Sequence, residues 1–108
     1  MTIQIGSLNL EMPVLLAPMA GITDLPFRRI VSRFGAGFVF SEMVASKAMV
    51  SETRRSLQIV KTDEADDHIM AVQLAGCDPD IMAEAARLNE DMGAKIIDIN
   101  MGCPVKKV

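Results

Sequence analysis

Four short apolar runs divide this 108-residue chain at nearly even intervals, and that rhythm limits the fold more than any other feature. The runs begin near residues 14, 38, 69 and 96, separated by 24, 31 and 27 residues. Val14-Leu15-Leu16-Ala17 is unbroken apolar sequence, as expected of a strand covered on both faces, and Pro18 ends it. Asp24 then supplies an N-cap with Pro26 in the first turn, and Phe27, Ile30, Val31 and Phe34 recur at helical spacing before Gly35. Phe38-Val39-Phe40 is a second strand. Residues 51–60 are predicted helical, and Thr62 to Asp67 form an acidic loop. Ile69 to Leu74 is a third strand. Asp78-Pro79 opens a helix whose face is Ile81, Ala85, Leu88 and Met92, closed by Gly93, and Ile96 to Asn100 is the fourth strand. Ahead of them all, Ile3-Gln4-Ile5 and Leu8-Asn9-Leu10 flank Gly6-Ser7 as a short hairpin.

Strands that alternate with helices at this spacing build a parallel α/β sheet. A (β/α)₈ barrel needs about 31 residues per unit, and a doubly wound sheet shows a similar rhythm. The polar residues favour the barrel. Small, polar or reactive groups stand at the carboxyl end of all four strands: Pro18 to Gly21, Ser41-Glu42, Gln73, and Asn100 to Cys103. A barrel gathers every strand end around one mouth, whereas an open sheet uses mainly the strands beside its switch point. The lone Gly-x-Gly, Gly35-Ala36-Gly37, follows a helix and precedes a strand, the reverse of a dinucleotide fingerprint. The expected fold is therefore the amino-terminal half of a (β/α)₈ TIM barrel over residues 13–108, with four parallel strands and a hairpin over 1–12. Half a barrel leaves two sheet edges unpaired, so the chain is expected to belong to a longer protein and to be marginal, aggregated or dimeric by itself.

Composition narrows the function. Hydrophobic residues make up 50% and charged residues 23%, which suits a packed core and not a disordered chain. With no Trp or Tyr there is little from which to build a stacking platform for single-stranded nucleic acid. No run has the length of a membrane helix and no leader precedes the hairpin, so a soluble cytoplasmic protein is expected. The net charge of −3 is uneven: residues 62–94 hold nine acidic groups and one basic, while residues 24–61 hold seven basic and three acidic. Solvated surfaces explain most of this, although Lys47, Arg54, Arg55, Lys106 and Lys107 can form a basic lip facing a polyanion. Cys77, Cys103 and His68 give three soft ligands, one short of a structural zinc site, and no metal is expected.

The strand ends carry the candidates for chemistry. Cys103 lies in Asn100-Met101-Gly102-Cys103-Pro104, where Gly102 permits a tight turn and Pro104 stiffens the chain beyond it. A thiol is mostly protonated at neutral pH and so serves as an acid, but a buried inert cysteine fits the position equally well. Strand alternation sends Asp98 and Asn100 to one face and Ile97 and Ile99 to the other. Asp98 then points inward, as a structural hydrogen-bond anchor. Gln73 shares the inward face with Ala71, and its amide either meets a planar heterocycle or caps a neighbouring loop. Pro18-Met19-Ala20-Gly21 is small enough for a flat ligand to lie on, and equally suits a plain turn into a helix.

The segments APMAGITDLPFRRI (Ala17 to Ile30), SEM (Ser41 to Met43), VQLAG (Val72 to Gly76) and DINMGCPVKKV (Asp98 to Val108) resemble the tRNA-dihydrouridine synthase family, most closely its bacterial B-type members. Dihydroorotate dehydrogenases share a similar strand-end motif but usually have Ser where Gly102 stands, so an FMN barrel reductase of a free pyrimidine is the alternative. A non-catalytic half-barrel that serves as an interaction module is the third possibility. The resemblance implies an FMN-binding barrel in which Pro18, Met19 and Ala20 contact the flavin and Gln73 bonds its isoalloxazine ring. It further implies that Asn100 contacts the target uracil and that Cys103 is the catalytic acid. The implied reaction is reduction of a tRNA uridine at C5=C6 with NADPH as electron donor, by an enzyme that is monomeric at full length. The flavin phosphate site and the helical RNA-binding domain are expected outside this chain, which alone should bind FMN weakly or not at all.

Overall fold

A computed structural model describes residues 2–51 and 70–103. Residues 52–60 of the helix expected over 51–60, the acidic loop at 62–67, His68, Pro104, and the basic residues Arg54, Arg55, Lys106 and Lys107 lie outside the described residues. The hairpin forms as expected. Strands β1 (Ile3–Ile5) and β2 (Leu8–Leu10) pair antiparallel around Gly6, whose φ of 58° is the left-handed conformation such a turn requires.

The rest is one parallel sheet with helices. Its strands are β3 (Leu15–Leu16), β4 (Phe38–Phe40), β5 (Val44–Ala45), β6 (Met70–Ala75) and β7 (Ile96–Ile99). β3 pairs with β4, and β4 with the start of β6, while β5 continues along the same edge of β6 to Leu74 and Ala75. β7 takes the other edge of β6, in a register that sets Gln73 beside Asp98. Each new strand thus adds on the side away from the first. A doubly wound sheet instead starts near its middle and reverses, and no such switch point occurs among the described strands.

The two faces of the sheet are covered differently. On one, Val44, Val72 and Leu74 form a cluster with Met49 of α2 (Ser46–Val50) and Ala85 of α3 (Pro79–Asp91), joined by Ile97 from β7. On the other, Phe38 and Ala71 pack with Leu10 of the hairpin, and Ile3, Phe40 and Ile96 join them. The rings of Phe38 and Phe40 meet edge to face with centroids 5.1 Å apart. The hairpin therefore covers the sheet face that carries Gln73 and Asp98, near the amino ends of the strands.

Two helices differ from the sequence reading. Helix α1 (Leu25–Arg33) starts on the expected cap, with Asp24 accepting from the Phe27 N–H at 3.0 Å. Its buried residues, however, are Arg28 and Ser32, while Phe27, Ile30 and Phe34 are exposed, Phe34 to 88%. Arg28 turns inward because its guanidinium finds a buried acceptor, donating from Nη1 to the Thr23 carbonyl at 2.9 Å. In α3, Asn89 displaces Met92 from the buried stripe: its Nδ2 donates to the Ala85 carbonyl, while its Oδ1 is buried without a hydrogen-bond partner among the described residues. The element Ser46–Val50 and the short strand before it come earlier than the helix read from the sequence. They are held where Gly76 lets β6 approach, since a Cβ there would run into Ser46 Oγ and Met82 Sδ.

Candidate functional site

The carboxyl end of the sheet carries two hydrogen-bonded units. The first follows β3. Thr23, fully buried, ties both backbone groups of Met19: its Oγ1 accepts from the Met19 N–H at 3.1 Å and donates to the Met19 carbonyl at 3.2 Å. The same carbonyl accepts from the N–H groups of Ile22 and Thr23, each at 3.0 Å. Gly21 completes the turn with a φ of 74°. Pro18, Met19 and Ala20 thus sit on a turn locked from below by Thr23, which Arg28 holds in turn. Met19 and Ala20 are exposed and Pro18 is half-buried.

The second unit joins β6 to the segment after β7. Gln73 Nε2 donates to Asp98 Oδ2 at 2.6 Å. Gln73 Oε1 accepts from Asn100 Nδ2 at 3.2 Å, and the same nitrogen lies 3.3 Å from the Met43 sulfur. Asn100 Oδ1 accepts from the N–H groups of Gly102 at 3.0 Å and Cys103 at 2.9 Å, while its own N–H continues the ladder to the Leu74 carbonyl at 2.9 Å. Gln73, Asp98 and Asn100 share one face of the sheet, opposite the layer of α2 and α3, as strand alternation predicts. The anchor read for Asp98 also has a partner now, the Gln73 amide.

The turn that carries Cys103 has a different cause from the one expected. Gly102 is not among the glycines with positive φ, and a Cβ there would meet nothing within 4 Å. The Asn100 side chain makes the turn, by accepting from the N–H groups two and three residues on. Cys103 is a free, half-buried thiol. Cys77, the other described thiol, is exposed just ahead of the Asp78 cap of α3. Among the described residues no group of three His, Cys, Asp or Glu side chains can hold a metal ion, and no helix is long and apolar enough to cross a membrane. Of the basic lip, Lys47 is described and is exposed on α2.

The site therefore brings Gln73, Asn100 and the Cys103 backbone into direct contact, and places Pro18, Met19 and Ala20 at the same end of the sheet two strands away. Thr23, Arg28 and Met43 are supporting residues that pattern reading missed. Thr23 and Arg28 fall among residues that read as helix capping and helix surface, and Met43 as one methionine among nine.

Residues 15–108 match the family model for Dihydrouridine synthase (Dus). The chain belongs to this family. It is 59% identical to the Probable tRNA-dihydrouridine synthase of Rickettsia bellii over 106 residues, which are 98% of this chain and 32% of that protein. It is 57% identical to tRNA-dihydrouridine synthase B of Pasteurella multocida over 106 residues, 97% of this chain and 31% of that protein. It is 50% identical to the tRNA-dihydrouridine synthase B of Pseudomonas aeruginosa over 107 residues, 98% of this chain and 32% of that protein. The chain spans about a third of the length of the curated relatives it matches. The matched dihydrouridine synthase region contains both hydrogen-bonded units, from Leu15 ahead of the Met19 turn to Cys103.

Proposed function

We propose that this chain is part of an enzyme that reduces uridine in tRNA to 5,6-dihydrouridine, and that it supplies the acid and part of the flavin-facing surface. The observation that carries the reading is the bonded series from Gln73 through Asn100 to the Cys103 backbone. Saturating C5=C6 of a pyrimidine takes a hydride and a proton, and side chains supply only the proton. A thiol on a loop tied to an amide at the same strand end suits that role, with Cys103 delivering its proton to C5.

The residues present fit FMN. After its internal bonds, Gln73 keeps one N–H and one oxygen lone pair, a donor and an acceptor for a planar heterocycle. The exposed Met19-Ala20 turn carries no bulky polar group, so an aromatic ring can lie against it. When bound there, FMN supplies the hydride for C6, with NADPH as the source of its electrons. Gln73 holds the ring edge, Pro18 to Ala20 support it, and Cys103 holds the proton. The Asn100 amide already makes its full complement of hydrogen bonds, so it reaches a uracil only by releasing the weak Met43 sulfur contact. The uridine must leave its stack to reach a strand-end site, which favours a flipped or loop nucleotide.

Closure of the sheet into a (β/α)₈ barrel belongs to the same proposal. The outer edges of β3 and β7, and the exposed Phe27, Ile30 and Phe34 of α1, are surfaces that a complete barrel would cover. The flavin phosphate site and most of the RNA-docking surface are then expected in the remaining two thirds of the relatives' length, in a cytoplasmic enzyme. The test is to extend the reading frame to that length and assay tRNA for dihydrouridine with FMN and NADPH. Dihydrouridine in tRNA, with free uridine and orotate untouched, is the expected result. Reduction of a free pyrimidine, or flavin-free protein with no product, overturns the reading.

A further inference from the structure

The bonded series at the strand ends has a direction. Asp98 accepts from the Gln73 nitrogen, the Gln73 oxygen accepts from the Asn100 nitrogen, and the Asn100 oxygen accepts from the loop N–H groups. Both amides present nitrogen toward Asp98 and oxygen toward the loop. An amide turned over by 180° occupies nearly the same space, so shape does not choose between the two orientations. The groups at the two ends choose. The loop offers only donors, and an ionised carboxylate offers only acceptors. A reversed Gln73 would set oxygen against the carboxylate and NH₂ against NH₂. The 2.6 Å contact to Asp98 is also the shortest of the series, in keeping with a charge-assisted bond.

We propose that Asp98 is a positioning residue: its carboxylate sets the orientation of the Gln73 amide and, through Asn100, holds the loop that carries the Cys103 thiol. This rests on the roles given above to Gln73 and Cys103. It adds that the donor and acceptor left on Gln73 are presented in one order only, so Asp98 decides which edge of a heterocycle Gln73 reads.

Thiol reactivity tests the assignment without reference to turnover. In the full-length enzyme, alkylation of Cys103 by iodoacetamide, followed at its own peptide by mass spectrometry, reports how firmly the loop is held. Asp98→Ala is expected to raise that rate about tenfold, the factor that about 1.4 kcal/mol of lost hydrogen bonding gives. Gln73→Glu sets two carboxylates together and is expected to raise it similarly. Gln73→Glu combined with Asp98→Asn moves the carboxylate one residue along the series. The new amide at position 98 then donates to the new carboxylate at position 73, which still accepts from Asn100, and the rate is expected to return close to that of the parent. Circular dichroism of each variant checks the fold, and if Asp98→Ala unfolds, the comparison of Gln73→Glu with the double variant still decides. An unchanged rate in a folded Asp98→Ala protein overturns the assignment, as does a double variant as reactive as Gln73→Glu. If the full-length enzyme takes up no FMN while this pattern of rates holds, the function proposed above falls and the role of Asp98 stands.

Discussion

Thr23→Val is the sharpest test of the Met19 turn, because it removes a hydroxyl and keeps the shape. The Thr23 side chain is fully buried and exchanges two hydrogen bonds with the Met19 backbone, at 3.1 and 3.2 Å. The cost of losing them is set by what remains. The Met19 carbonyl still accepts from Ile22 and Thr23, so it is not left bare. Met19 is 37% exposed and its bond to Thr23 is part-buried, so we treat its freed N–H as hydrated in the variant. The penalty therefore belongs near the net worth of ordinary hydrogen bonds, about 1 kcal/mol each, and not near the full cost of stranding buried groups. The sum is about 1–2 kcal/mol for the ordered turn, a factor of about 5–30 in its population. If the turn supports the flavin, FMN affinity of the full-length enzyme should fall by that factor in a fluorescence titration. Thr23→Ser keeps the hydroxyl and removes a methyl group, so it should lower thermal stability by about 1 kcal/mol while leaving affinity nearly unchanged. Wild-type affinity in Thr23→Val, or weaker binding in Thr23→Ser than in Thr23→Val, refutes the reasoning.

Three further outcomes follow from single groups. Cys103→Ala in the full-length enzyme should abolish dihydrouridine formation in tRNA and leave the bound flavin spectrum unchanged; turnover at the normal rate removes Cys103 from the role of acid. Asp78 Oδ1 caps α3 by accepting from the N–H groups of Asp80 and Ile81 at 3.0 and 3.2 Å. Asp78→Ala should therefore cost about 1 kcal/mol and lower Tm by about 2–8 °C, with Asp78→Asn close to wild type in the same thermal melt. A Cβ on Gly37 would run into the Met12 backbone carbonyl, which cannot rotate aside as a side chain would. Gly37→Ala should thus destabilise by about 1–3 kcal/mol, read as a lower denaturant midpoint, and a neutral result would mean that the chain before β3 gives way.

The strand rhythm was legible because each strand needs a compact apolar run, and strand alternation alone placed Gln73, Asp98 and Asn100 on one face. The caps at Asp24 and Asp78 were legible for a similarly local reason: an acceptor followed by proline at a helix start satisfies the first free N–H groups. The buried face of α1 was not legible. Phe27, Ile30 and Phe34 have the right spacing for a core stripe, yet Arg28 and Ser32 are the buried residues. Periodicity reports that a helix has an apolar face, and does not report which neighbour covers it. The Cys103 turn was misread for a different reason. Glycine is a visible sign of an unusual backbone, whereas an Asn side chain that folds back on its own loop looks like any other polar residue.

The opposite ends of this sheet explain why chemistry gathers at one of them. Toward the amino ends, Leu10 and Ile3 of the hairpin close over Phe38, Ala71 and Ile96, forming an apolar floor. One step further along the same face of β6 and β7 come Gln73 and Asp98, and then Asn100. Groups that stand over such a floor on half-buried strands have restricted access to water, so most of their hydrogen bonds must be made with one another. That requirement is what rigidifies the series from Asp98 to the Cys103 loop. It also leaves a small and specific remainder: one N–H and one lone pair on Gln73, the second carboxylate oxygen of Asp98, and the thiol beyond Asn100. Among the groups of this series, a ligand meets that remainder first. The apolar floor therefore acts on the chemistry indirectly, by compelling the polar groups above it to bond among themselves and so to hold a fixed order.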